Sequence, residues 1–218
     1  MPSVIFDLDG TLADTSGDLL AAANWCFRDI GLGDVLNAAD VGIALRGGRA
    51  MLRAGLTRAG RLDEQVVAEY YPKLLAAYDA DIDRHTFMYE GAMEAVAEIK
   101  ARGLAVGICT NKPERLAQKL LTRLGVRDDF ACLVGADTLT VSKPDPAPLF
   151  EAAERAGGDR QCILIGDSDT DRNTAAAAQM PCVLVTFGPA GGDMAALKPA
   201  ALLHNYADLP QIAADLLQ

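Results

Sequence analysis

The chain has 218 residues, half of them hydrophobic, with 30 acidic against 20 basic side chains and a formal charge of −10. Its length and apolar content fit one α/β domain, or a core domain plus a small insertion, and exclude a disordered chain. The negative balance argues against nucleic acid and anionic membranes as partners, so an anionic substrate would need a metal ion or a few placed cations.

The first apolar run predicts a strand over 3–8, but VIFDLDGTL carries Asp7 and Asp9 inside it. Isolated ionised groups in an apolar setting cost several kcal/mol or shift their pKa. Either the strand ends there, with the acids in a solvated turn, or the acids bind something cationic. Residues 16–86 then show helical patterns at 17–30, 38–44, 48–59 and 63–80 with no convincing strand. We read this segment as an inserted helical cap on two polar linkers, able to move as a lid, with Trp25 in its core.

Beyond it the pattern alternates. Helices are expected at 90–102, 113–124, 146–156, 171–179 and 207–217, and strands at 104–109, 131–135, 161–166, 182–186 and, more weakly, 201–204. This is the signature of an α/β fold, a doubly wound parallel sheet forming a Rossmann-like core from residues 1–15 and 87–218. The alanine run 175–178 reads as a helix face packed closely on the sheet. No apolar run approaches the roughly 18 residues of a membrane span, and the N-terminus shows no secretory signal. Five cysteines without short paired spacing read as buried thiols, so reducing cytoplasm is expected.

Ligands of open parallel sheets sit beyond the carboxyl ends of the strands. Those ends carry Asp7-Leu8-Asp9-Gly10-Thr11, Cys109-Thr110-Asn111-Lys112, Ser142-Lys143-Pro144-Asp145 and Gly166-Asp167-Ser168-Asp169-Thr170-Asp171. Asp7 and Asp9, two apart on extended chain, face one volume, and Asp167 adds a carboxylate from another strand. Such charges need a counter-ion, and hard oxygen ligands beside phosphate favour Mg²⁺. A calcium loop fits poorly, because Leu12 and Arg172 stand where its glycine is required. Thr110 and the Asn111 N–H can donate to phosphate oxygens, and the Lys143 ammonium can offset charge between anion and acids. Lys112 and Ser168 read as solvated or capping residues.

These motifs, in this order over essentially the whole chain, resemble the haloacid dehalogenase-like hydrolase superfamily: FDLDGT at 6–11, CTN at 109–111, SKP at 142–144 and GDSDTD at 166–171. Within it they look most like phosphoglycolate phosphatases, although sugar-phosphate phosphatases and pyrophosphatases share much of the pattern. The resemblance implies that Asp7 is the nucleophile and Asp9 the general acid and base. It also implies that Thr110, Asn111 and Lys143 hold the phosphoryl group. Mg²⁺ would be bound by the Asp7 carboxylate, the Asp9 main-chain carbonyl and Asp167, with Asp171 in support. Asp9 favours phosphate chemistry over dehalogenation, which needs no proton for a leaving alkoxide. Gln179 stands where members usually carry glycine.

A small phosphorylated substrate is therefore expected, handled by a monomer or homodimer. Arg46-Gly47-Gly48-Arg49 is the cap loop best suited to selecting it: Arg46 could pair a substrate carboxylate, or the loop could be an ordinary turn. Neither His85 nor His204 is given a role. A phosphomutase shares the first chemical step, and a phospho-aspartate receiver or a retired binding module would use similar residues without turnover.

Overall fold

The structure is a computed structural model and describes residues 1–188 and 193–217; residues 189–192 and 218, which the expected core range includes, lie outside them. In chain order, β1 (Ser3–Phe6) and β2 (Ala13–Asp14) precede α1 (Ser16–Asp29), α2 (Val41–Ala44), α3 (Gly48–Arg58) and α4 (Glu64–Ala80). Next come β3 (Phe87–Met88), α5 (Ala92–Ala101), β4 (Ala105–Cys109), α6 (Glu114–Arg123), β5 (Cys132–Val134) and α7 (Ala147–Arg155). The chain closes with β6 (Cys162–Gly166), α8 (Asp169–Ala178), β7 (Cys182–Val185), β8 (Ala201–Leu203) and α9 (Leu209–Leu216). Two compact units result, one from Met1–Ala13 with Met88–Gln218 and the other from Asp14–Phe87.

In the first unit, six strands form a parallel sheet in the order β5-β4-β1-β6-β7-β8. The order reverses at β1, so the loops after β1, β4 and β6 leave the same sheet edge at the switch point. Ile5, Leu164 and Leu184 pack in one core with Leu149, Ala152 and Ala153 of α7 and Ala175 and Ala178 of α8. Small alanines on α8 let its backbone approach the strands, while Ala176 and Ala177 face solvent. No described helix is long and apolar enough to cross a membrane.

β1 ends at Phe6, short of the expected 8, because Leu8 folds the chain back on itself. Its carbonyl accepts the N–H groups of Thr11, Leu12 and Ala13 at 3.3, 3.0 and 3.1 Å. Gly10 takes φ +79° in this turn, a conformation that costs a side-chain-bearing residue about 1–2 kcal/mol. The two-residue strands β2 and β3 pair as a separate sheet where the chain passes between units.

The second unit is helical. α1 buries Leu19, Leu20, Ala22, Ala23, Cys26 and Phe27. Trp25 lies outside that stripe and is 44 % exposed, which corrects its expected place in the core of the cap. Asp18, in the first turn of α1, is buried. It accepts the His85 N–H at 2.9 Å and the Thr86 N–H and hydroxyl at 2.9 and 2.8 Å. The carboxylate thus pins the returning linker to the start of the helix.

Candidate active site

Strand register gathers the expected residues. Phe6 lies opposite both Ile108 and Ile165, so Asp7, Thr110 and Asp167 leave adjacent strands at nearly the same height. The Asp7 N–H still donates to the Ile165 carbonyl at 2.8 Å, and that of Thr110 to Val134 at 2.9 Å, which fixes both at the sheet edge. Carboxylate oxygens of Asp7, Asp167 and Asp171 all fall within 4.8 Å of one another. Asp171 reaches them because Gly166 has no side chain: a Cβ there would lie 2.3 Å from the Asp171 carboxyl carbon.

Lys143 enters this group from the loop before α7. Its Nζ lies 3.1 Å from Asp7 Oδ1 and 2.6 Å from Asp171 Oδ1, and its side chain is 1 % exposed. Asp171 Oδ2 accepts from the Ser168 hydroxyl at 2.6 Å and the Asp167 N–H at 3.2 Å. Both Asp171 oxygens are therefore engaged. Its supporting place in the acid cluster is to hold Lys143 and the β6–α8 turn, and Ser168 caps α8 as its residue type suggests. Asn111 extends the bracing, since its side-chain amide donates to the Lys143 carbonyl at 2.9 Å.

Thr110 is buried, and its hydroxyl oxygen accepts the Lys112 N–H at 3.2 Å. With that lone pair used, the hydroxyl proton is available to donate to an incoming oxygen. Lys112 itself is not a solvated residue. Its ammonium contacts Asp9 Oδ1 at 2.8 Å and its side chain is 3 % exposed. The signal was in the sequence: a cation two positions after Thr110 on the strand edge that already carried the acids. Thr11, also unassigned, is buried and donates to Asp167 Oδ1 at 3.3 Å.

Arg46 belongs to the helical unit and is exposed, with no side-chain partner among the described residues. Its neighbours are committed: Arg49 stacks on Tyr71 at 4.2 Å, Arg53 pairs with Glu64 and Arg58 with Asp40.

Clustered acids in a buried setting disfavour their own charge. Burial pushes the Asp7 carboxyl up to about 6; Lys143 opposes this, and Asp171 and Asp9 add to it. Burial likewise raises Asp167 well above the carboxylate range, reinforced by Asp171 and Asp7. Burial works against the Lys143 ammonium, but Asp171 and Asp7 hold it charged, above the ordinary lysine value. Asp167 Oδ2 is buried and has no hydrogen-bond partner among the described residues. An orphaned carboxyl oxygen beside two further carboxyl groups is a donor set that suits a hard divalent cation. Asp9 directs its carboxylate to Lys112 and is not in that set, so only its carbonyl is a candidate ligand.

Residues 1–179 match the family described as haloacid dehalogenase-like hydrolase. The phosphoglycolate phosphatase of Rhodospirillum rubrum is 37 % identical over 213 residues, covering 95 % of this chain and 88 % of its own. That of Agrobacterium fabrum is 35 % identical over 210 residues, covering 95 % and 90 %. A crystal structure of a predicted phosphoglycolate phosphatase from Haemophilus somnus superposes with a TM-score of 0.86 at 25 % identity, covering 96 % of each chain. With the sheet, its switch point and the acid cluster at the carboxyl edge in place, these matches establish that the chain belongs to the haloacid dehalogenase-like hydrolase family.

Proposed function

We propose that this hydrolase is a Mg²⁺-dependent phosphatase that cleaves a small phosphate monoester through a phosphoryl group carried on Asp7, with 2-phosphoglycolate as the substrate that the named relatives suggest. The observation that carries the reading is the placement of Asp7, opposite Lys143 and within 4.8 Å of the Asp167 and Asp171 carboxylates. Asp7 Oδ1 accepts the Leu8 N–H at 2.8 Å and lies 3.1 Å from the Lys143 ammonium, contacts that orient the carboxylate for attack on phosphorus by one oxygen.

In the first step that oxygen bonds to phosphorus and the bond to the leaving alcohol breaks. The electron pair goes to the alcohol oxygen, which takes a proton from Asp9. In the second, water bonds to phosphorus, the Asp7–phosphorus bond breaks with its electrons returning to the carboxylate, and Asp9 takes the water's proton. Thr110, the Asn111 N–H and Lys143 stabilise the phosphoryl oxygens throughout. Mg²⁺, held by Asp7, Asp167 and the Asp9 carbonyl, would neutralise charge on the transferring group. Arg46, uncommitted within its own unit, is assigned to a substrate carboxylate. All five cysteines are free thiols, which supports a reducing compartment, the cytoplasm.

Phosphate release from a panel of monoesters with Mg²⁺ tests the reading. Hydrolysis abolished by chelation, and fastest with 2-phosphoglycolate, is expected. Preference for a sugar phosphate or pyrophosphate would move the substrate, and absence of release from every ester would remove the activity.

A further inference from the structure

Lys112 is a buried cation that the phosphoryl chemistry above does not use. Bonds from three directions brace it. Its ammonium holds Asp9 Oδ1 at 2.8 Å, its N–H donates to the Thr110 hydroxyl at 3.2 Å, and its carbonyl accepts the Ala136 N–H at 3.0 Å. The residue therefore spans the loops after β1, β4 and β5, and reaches 103 positions back along the chain to the acid. Asp9 needs such a brace. Its carboxylate sits 17 % exposed at the mouth of a turn, and two side-chain torsions set where it points.

A proton donor must lie within hydrogen-bond reach of the leaving oxygen, and a misplacement of about 1 Å can cost about 100-fold in rate. We infer that Lys112 is a positioning residue that aims the Asp9 carboxylate at the leaving-group oxygen. The inference rests on the phosphatase reading and deepens it by giving the general acid a partner that sets its direction. In kcat/KM, which stops at phosphoryl transfer to Asp7, the contribution of Lys112 would fall on substrates whose alcohol must be protonated as it departs. The bond changes are those of the first step above, with the proton passing from Asp9 to the alcohol oxygen as the P–O bond breaks.

Because the two backbone bonds do not involve the ammonium, Lys112→Met keeps them and takes the ammonium away from Asp9, and Lys112→Gln retains an N–H donor at shorter reach. The experiment measures kcat/KM for wild type and both variants over a series of aryl and alkyl phosphates, since that ratio reports phosphoryl transfer to Asp7 and not the later hydrolysis. Aryl leaving groups depart without a proton. The expected result is a loss of roughly 30–100-fold for alkyl phosphates against less than about 3-fold for aryl phosphates, smaller in Lys112→Gln. The dependence on leaving-group pKa should steepen accordingly. A uniform loss across the series, or no loss, overturns the positioning role while leaving the phosphatase reading intact. A wild-type chain inactive on every ester overturns both.

Discussion

The Lys143 ammonium lies 2.6 Å from Asp171 Oδ1 in a site where the two side chains are 1 % and 0 % exposed. A pair this deep is costly to form and costlier to break, because removing one partner strands the other charge. Lys143→Met is therefore expected to destabilise the protein by about 3–5 kcal/mol and to abolish turnover. Adding Asp171→Asn to it should cost much less than the sum of the two single changes, with a coupling of about 1 kcal/mol or more, read by denaturant titration. Strict additivity would mean that the two groups do not act as a pair.

The acid cluster gives stability a pH dependence of definite sign. Asp7 titrates at about 6 in the fold against 3.8 when unperturbed, so the folded state binds its proton more tightly. This contribution is full below about pH 4 and is lost as pH rises through 6, with Asp167 acting in the same direction. Asp40, pulled down to about 2 chiefly by its hydrogen bond from Arg58, weakens the fold only below pH 4 and does not interfere. Metal-free protein should accordingly be more stable at pH 5 than at pH 7, by about 1 kcal/mol or more. Added Mg²⁺ should raise the melting temperature more at pH 7 than at pH 5, because the ion competes with fewer protons at the higher pH. A scan in chelator that shows stability rising from pH 5 to 7 would contradict the electrostatic account.

α8 ends on Gln179 with φ +58° and ψ +34°, the left-handed conformation that glycine adopts without strain. Gln179→Gly should stabilise the protein by about 1 kcal/mol in thermal or urea unfolding. Activity should be unchanged, because the substitution alters a helix end and no chemical group. A destabilised variant would show that the side chain contributes more than its backbone strain costs.

Arg46 should matter for substrate choice and not for stability. Arg46→Ala is expected to lower kcat/KM for a carboxylated phosphate by roughly 10–100-fold, the size of a charge-assisted hydrogen bond. An aryl phosphate lacking a carboxylate should lose little. Equal losses on both substrates would assign the arginine some other task.

The sheet was legible because parallel strands buried on both faces read as short apolar runs, and helices between them follow a different period. The acids at the strand ends were legible because charged residues recur at the carboxyl ends of several strands, where ligands of parallel sheets sit. What escaped depends on partners distant in sequence. Lys112 looks like any loop lysine until the fold brings Asp9 against it, and Asp18 looks like an ordinary first-turn acid until His85 and Thr86 return to it. β2 and β3, at two residues each, are too short for any period to show. Trp25 misled because size predicts burial only when the residue falls on the packed stripe of its helix.

Every step of the proposed reaction follows from capture of phosphorus by Asp7. Acid quenching during turnover, followed by mass spectrometry of peptides, tests it most directly. One added phosphoryl group is expected on the peptide bearing Asp7, absent from an inactive Asp7→Asn variant. A phosphoryl group found on a different residue, or Asp7→Asn turning over at the wild-type rate, would contradict it.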